Sequence, residues 1–375
     1  MVEWKKLGEI AKVQKTKNKK HVTENAYSIT QAGLIPTKNF FKEKTHVTSS
    51  DTSGYYIVER DWFVYSPSRI DVGSISYLKD EGPVIVSPID VVFSIDKTIC
   101  LPSYLLNYFF TYEGKKALLK NREGVEGMGR RNLPFDAIKT MPIPVPSLSE
   151  QSRIVSILDT FTSSISNLKQ QIEERRKQYE YERDLLLDLE GKEGVERIPL
   201  KEVCDVINGR AYSQPELLDK GKYRVLRVGN FFSNDNWYYS DLELEDKYYC
   251  KNGDLLYAWS ASFGPHIWKE ERVIYHYHIW KMECKDRLHI KYMYYWLQSK
   301  DMYKQAFSNL HGATMAHLTK ALMESLKVSL PPLSTQSRIV SILDTFEQSI
   351  ANLEAQLAMR EKQYESYRNQ LLTFE

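Results

Sequence analysis

Several things are missing from this 375-residue sequence. It has only four cysteines, Cys100, Cys204, Cys250 and Cys284, far apart and with no CxxC pair. That spacing argues against a disulfide framework or a zinc knuckle and reads as reduced, buried thiols. No apolar run approaches the ~18 residues of a membrane span. The lysine-rich first 20 residues contain no apolar core of a signal peptide, so the expected location is cytoplasmic. There is no GxSxG, no HExxH and no GxxxxGK[ST], and no glycine pattern matches a dinucleotide-binding turn. The [DN]PP[YF] tetrapeptide that marks amino-methyltransferases is absent as well. Among known catalytic motifs, none presents itself, and the expectation is a chain that is not an enzyme and binds no metal or cofactor of its own.

Two further stretches have no proline or glycine beyond their opening residues, and these organise the rest. Residues 146–190 and 331–375 align without a gap at an offset of 185, with about 28 of 45 positions identical. A repeat of this length is a statement about architecture. In each copy the apolar positions step alternately by four and three. The first runs Ile154, Leu158, Phe161, Ile165, Leu168, Ile172 and onward. The second runs Ile339, Leu343, Phe346, Ile350, Leu353, Leu357 and onward. A 3.5-residue period held for about five heptads is the pattern of a supercoiled helix. At ~1.5 Å per residue, each copy makes a rod of about 60 Å. Pro146 and Pro331/Pro332 precede the starts, Ser149 and Ser334 are candidate N-caps, and Gly191 ends the first copy. Matching period and length predict that the two rods pack on each other within the chain. Packing of each rod on its own globular unit, or dimerisation, are the alternatives. Arg175 and Arg360 interrupt the two seams at the same heptad position, as a register device or a snorkelling side chain.

The repeat divides the chain into residues 1–145, a helix at 146–190, residues 191–330 and a helix at 331–375. The net charge of +2 hides a split. Residues 1–145 hold 21 Lys/Arg against 16 Asp/Glu, and residues 191–330 hold 20 against 18. The helical copies hold 10 against 15. The globular parts therefore carry the excess positive charge, which suits a polyanion partner.

The first part opens with a short amphipathic piece at 3–13. A basic run follows, with Lys15, Lys17, Lys19 and Lys20 in an apolar-poor loop. It reads either as a solvated surface loop or as a loop contacting phosphates. Strand-like runs lie at 26–30, 54–59, 61–66, 74–78, 82–87 and 90–95, with a helical stretch at 103–120. Ser68 and Arg69 sit on a loop leaving a strand, and Arg130 and Arg131 lie in a glycine-rich run.

The second part repeats the plan loosely: Leu7, Tyr27, Gly33, Tyr65 and Leu133 are echoed by Leu200, Tyr223, Gly229, Tyr257 and Leu318. The offset drifts, so the frames are alike and the loops are not. Dense aromatics between Trp237 and Trp280 read as core. His276 and His278 alternate with tyrosine, as if on one face of a strand, and no third metal ligand stands beside them. The fold class is α+β: two β-rich α/β domains related by an internal repeat and separated by an antiparallel two-helix coiled coil.

Two divergent globular parts, each followed by a long helix opening P-x-L-S-x-Q-S-R-I-V-x-x-L-D, resemble the DNA-specificity subunit of type I restriction-modification systems. The residues carrying the likeness are Leu148–Gln151, Arg153–Val155 and Leu158–Asp159, with their twins Leu333–Gln336, Arg338–Val340 and Leu343–Asp344. The stretches 65–77 and 310–320 also look like the family's target recognition domains. The resemblance implies a non-catalytic subunit whose two recognition domains each read half of a split site in double-stranded DNA, with the helices setting the gap. It implies two methyltransferase subunits as partners, and restriction subunits through them. S-adenosylmethionine, ATP and Mg are expected on those partners.

Phosphate contacts would come from Lys15, Lys17, Lys19, Lys20, Arg130, Arg131, Arg224 and Arg227. Base contacts would come from Ser68, Arg69, Ser260, Ser262, His311, Thr314 and His317, because arginine suits guanine and small polar groups suit several bases. The rival reading is a coiled-coil adaptor that joins two proteins and never touches DNA.

Overall fold

The computed structural model describes residues 2–40, 51–80, 82–123, 132–232, 234–260, 262–307 and 318–374. The chain forms two units, residues 1–169 with 356–375, and residues 170–355. Each unit takes its globular part from one half of the repeat and borrows a helical segment from the other half.

In the first unit, strand Glu3–Lys6 pairs antiparallel with Pro142–Val145, so the entry and exit of the globular part are tied together. A four-stranded antiparallel sheet has the order Ala11–Gln14, Val91–Ile95, Phe63–Tyr65, Ile75–Tyr77. The opening amphipathic piece is thus a strand, one helical turn at Leu7–Ile10 and a second strand. Its apolar side chains Leu7 and Ile10 serve the core rather than a helix face. Phe63 stacks on Phe93 across the sheet at 4.9 Å. Helix Pro102–Phe109 covers this sheet, and its Tyr104 hydroxyl donates to the Pro144 carbonyl at 2.8 Å.

The second unit repeats the frame. Glu196–Pro199 pairs with Lys327–Leu330, and the main sheet runs Cys204–Asn208, Ile279–Cys284, Leu255–Ser260, Ser262–Ile267 in the same order. Tyr292 takes the place of Tyr104 and donates to the Ser329 carbonyl at 2.7 Å. A second sheet, Tyr238–Ser240, Tyr223–Leu226, Val273–Tyr275, Tyr249–Cys250, contains one parallel pairing. The His276–His278 segment does not lie on one strand. After Tyr275 the chain turns at Tyr277 and His278 and joins the main sheet at Ile279. The cause is the Arg210 backbone, which donates to the Tyr275 carbonyl and accepts from Tyr277 N–H, taking the place of a strand partner.

The two long helices span Leu148–Leu187 and Leu333–Leu372. They start one residue before Ser149 and Ser334. The side chain that accepts from the first turn is Ser147, bonded by Glu150 N–H at 3.3 Å, and Pro332 stands at the matching place in the second copy. Antiparallel packing is visible inside each unit. In the first, Phe161 meets Tyr364 and Tyr367, and Lys169 meets Glu361. In the second, Arg176 meets Glu354 and Tyr179 meets Glu347. Numbers rise on one helix as they fall on the other.

The apolar ladder does two jobs. Ile154 and Leu158 are wholly buried in the core of the first unit, together with Leu372 from the other helix. Ile339 and Leu343 are buried in the core of the second, with Tyr179 and Leu187. The middle positions Ile165, Leu168, Ile350, Leu353 and Leu357 are half-buried, as two helices alone can make them, while Ile172 is buried. Arg175 lies over the Phe346 ring at 5.9 Å and Arg360 over Phe161 at 5.7 Å. The seam arginines therefore cap the facing phenylalanines, each through its charge and its stem.

Candidate nucleic-acid interface

Each globular part is locked to its own helix by a glutamine. Gln151 is fully buried. Its amide nitrogen donates to the carbonyls of Ile99 and Pro146, both at 2.9 Å, and its oxygen accepts from Leu101 N–H at 2.8 Å. Its twin Gln336, also fully buried, donates to Arg287 at 2.9 Å and Pro331 at 2.8 Å and accepts from His289 N–H at 2.8 Å. The repeated Gln of the helix-opening motif thus satisfies the segment just ahead of helix Pro102–Phe109, or of helix Ile290–Trp296. A recognition surface on either unit is held at a fixed attitude to the helix it precedes. In the second unit Asp344 adds a further tie, accepting from Lys291 and from the Tyr295 hydroxyl, both at 2.6 Å.

The basic run of the first unit is an ordered loop. Asn18 is fully buried; its side chain donates to the Thr23 carbonyl at 2.9 Å and accepts from Val22 N–H at 2.8 Å. That anchor turns Lys15, Lys17, Lys19 and Lys20 outward, and all four are exposed. Among the described residues none of the four has an ion-pair partner within 4.0 Å. Cations with no carboxylate within ion-pair distance, on a loop held by a buried side chain, are suited to a phosphate backbone.

Ser68 and Arg69 are exposed on the turn after strand Phe63–Tyr65. The turn is braced from below: Leu133 N–H donates to the Pro67 carbonyl at 2.9 Å, and the Tyr65 hydroxyl donates to the Leu133 carbonyl at 3.0 Å. Both residues face a cleft of about 990 Å³ shared with Tyr27, Gln31, Ser87 and Asp90. Asp90 is buried, and burial pushes its carboxyl up to about 7. The cleft therefore offers hydroxyls, a guanidinium fork and a carboxyl that is partly protonated near neutrality, a set able to donate to and accept from base edges.

In the second unit the predicted residues divide. Arg224 is taken: it pairs with Glu270 at 2.8 Å and Glu271 at 3.1 Å and lies 4.5 Å over the Trp237 ring. Arg227 is exposed, with its guanidinium 5.2 Å from the Tyr238 ring. Ser260 and Ser262 oppose each other at the tip of the hairpin joining two strands of the main sheet, the first half-buried and the second exposed. Arg130, Arg131, His311, Thr314 and His317 lie outside the described residues.

A group unremarked in sequence stands beside the His276 turn. Arg210 pairs with Glu216 at 2.7 Å and lies 5.1 Å over Tyr212, which stacks on His276 at 6.3 Å. Burial drives the His276 imidazole down to about 4, so it is neutral at physiological pH. Arg210 makes an isolated parallel bridge to His276, a pairing that no local sequence pattern marks. Among the described residues no three His, Cys, Asp or Glu side chains gather as metal ligands. All four cysteines are free, and burial raises the thiol of Cys100 to about 12. Among the described residues no helix is long and apolar enough to cross a membrane.

Comparison with known proteins places this geometry. A family model described as type I restriction modification DNA specificity domain matches twice, at residues 1–175 and 192–359. A putative type I restriction enzyme specificity subunit of Haemophilus influenzae is 31% identical over 268 residues, 66% of this chain and 68% of that protein. A type I restriction enzyme specificity subunit of Escherichia coli is 28% identical over 262 residues, spanning 63% of each. Among solved structures, a chain from a study of assembly and conformational transition of the type I restriction-modification system superposes with a TM-score of 0.65 at 18% identity, covering 99% of this chain and 96% of that one. The S subunit from M. genitalium gives 0.54 at 14% identity, covering 100% and 97%. At these identities the two structures speak for the fold.

Proposed function

The chain belongs to the type I restriction-modification DNA specificity family, and from that premise we propose that it is the non-catalytic subunit that selects the DNA sequence on which its partner subunits act. Each globular part reads one half of a bipartite site, and the two long helices set the gap between the halves. The observation that carries this reading is the doubled frame: the same sheet order, the same buried tyrosine and the same glutamine lock occur twice under loops that differ. A frame kept while its loops diverge suits one mechanical task performed on two targets.

In the first unit, Lys15, Lys17, Lys19 and Lys20 hold phosphates and set register, while Ser68 and Arg69 read base edges from the rim of the cleft. In the second, Arg227 holds phosphate and Ser260 and Ser262 present hydroxyls at a hairpin tip. Arg224, already committed to two glutamates and a tryptophan, supports the strand it stands on.

The partners are DNA and the other subunits of a restriction-modification complex. In the finer reading there are two methyltransferase subunits, with restriction subunits joining through them, and S-adenosylmethionine, ATP and Mg are bound on those partners in the cytoplasm. Repeated exposed apolar side chains at the two helix starts support two like partners: Leu148 is 38% exposed and its twin Leu333 48%.

The test is a map of methylated adenines in the source genome with and without this chain. The expected result is a bipartite motif that disappears on deletion. A protein-joining adaptor would leave the methylome unchanged, and that outcome overturns the proposal.

A further inference from the structure

The two helical copies differ at many positions, but the sign of charge reverses at only two of the 45 aligned. Where the first copy has Lys169 and Arg176, the second has Glu354 and Glu361. These same positions meet across the seam. In the first unit Lys169 pairs with Glu361 at 3.0 Å, and in the second Arg176 pairs with Glu354 at 2.5 Å. Several other seam contacts are indifferent to which copy faces which, although Phe161–Tyr367 and Tyr179–Glu347 are not, because the twins of Tyr367 and Glu347 are Glu182 and Thr162. Phe161 and Phe346 are identical residues, as are Arg175 and Arg360, and the arginine–phenylalanine contacts form both ways round. Ile165 and Leu168 are likewise repeated as Ile350 and Leu353.

The register fixes what an alternative partner would bring. Against a second copy of itself, the first helix would set Lys169 beside Arg176, twice. The second helix against its own copy would set Glu354 beside Glu361, twice. From this we infer that these four side chains are the partner-selecting element of the rod: they admit the pairing of unlike helices and reject the pairing of like ones. The repeated apolar positions of the seam supply adhesion without choice, and the flanking charges supply the choice, as they do in heterotypic coiled coils. The partner this face fits is a helix with acidic side chains at both positions, which the chain itself provides. The consequence is a rod that joins two different globular parts and resists assembly from two copies of the same one.

The four residues are all about half exposed, so each pair alone is weak and screened by salt. Exchanging two attractions for two repulsions is the larger quantity. The full chain can be made to imitate both rejected pairings. Lys169→Glu with Arg176→Glu gives acid against acid, and Glu354→Lys with Glu361→Arg gives base against base. The fourfold exchange restores opposite charges with their places swapped.

Thermal and urea unfolding of all three, with wild type and the neutral Lys169→Gln/Arg176→Gln chain, is measured at about 50 mM and about 1 M salt. The expected result at low salt is that each double reversal lowers the folding equilibrium constant about 10-fold, with most of the loss gone at high salt. The fourfold exchange should return to within about twofold of wild type. If a double variant does not fold, recovery in the fourfold exchange still supports the inference. A fourfold exchange that carries the sum of both losses, or double reversals no worse than the neutral chain, overturns it.

Discussion

Removing the Gln151 side chain tests how the reader is fixed to its rod. Gln151→Ala withdraws three hydrogen bonds in a site with no solvent access. It strands the Leu101 N–H at the start of a helix and leaves the carbonyls of Ile99 and Pro146 without this donor. A buried group left unsatisfied costs about 1–3 kcal/mol, and carbonyls with a second lone pair fall at the lower end. Counting about 2 kcal/mol for the N–H and about 1 for each carbonyl, the expected loss is on the order of 4 kcal/mol. That is a large part of the ~5–15 kcal/mol of a typical domain.

Urea unfolding should show the midpoint falling with little change in slope, because the surface exposed on unfolding is unchanged. Gln336→Ala should behave alike in the second unit. Gln151→Glu adds a signature that mere loss of packing lacks. It sets a carboxyl against two carbonyl oxygens, so its folded pKa rises above the unfolded value of ~4.3. Stability is then kept below about pH 4 and lost as pH rises through the folded pKa. A loss under about 1 kcal/mol for Gln151→Ala, or a Gln151→Glu variant indifferent to pH, would refute the lock.

Other consequences follow from the same contacts. With DNA affinity plotted against salt on logarithmic axes, replacing any one of Lys15, Lys17, Lys19 or Lys20 by alanine should reduce the slope by about 0.9 and weaken binding equally across sequences; an unchanged slope would remove that lysine from the interface. Asp90 has a folded pKa raised by burial to about 7. Its contribution is therefore full below the unfolded value of ~3.9 and is lost as pH rises through the folded value. Asp90→Asn should stabilise the chain by on the order of 4 kcal/mol at pH 8, about three pKa units at ~1.4 kcal/mol each, and hardly at all at pH 4, and equal effects at both would contradict the assignment. Inserting or deleting seven residues within 160–185 should change the gap in the methylated motif by the rise of two turns, about 10.5 Å, and leave both half-sites as they are; altered half-sites would show that the helices are not the spacer.

The long-range plan was legible because a 3.5-residue period and a gapless repeat are both properties of the chain alone. Ile154 through Ile172 could be placed on one helix face with no knowledge of their neighbours. The strands of the first unit were legible for the same reason, since β-branched and aromatic runs between turn residues need few tertiary facts. The opening stretch at 3–13 was legible only as amphipathic, and pairing with Pro142–Val145 and Val91–Ile95 draws it into two strands. Pairing across about 80 residues or more decides what local spacing leaves open. The His276–His278 alternation suggested one strand face and failed, because the backbone of Arg210 intervenes where a strand partner would have stood.

The DNA-facing residues were legible only as types. Arg224 and Arg227 lie three apart and look equivalent in sequence, yet Glu270, Glu271 and Trp237 claim the first and leave the second exposed. What the sequence determined by itself was the order of parts, the period of the rods and the duplication, because those depend on local spacing. What only the tertiary structure decided was which charges are already paired, what the motif glutamines bind and which helix positions meet. Those depend on side chains brought within a few ångströms from distant places in the chain. The reversed charges at Lys169, Arg176, Glu354 and Glu361 stood in plain view in the repeat, but became a pairing rule only when the antiparallel register set them face to face.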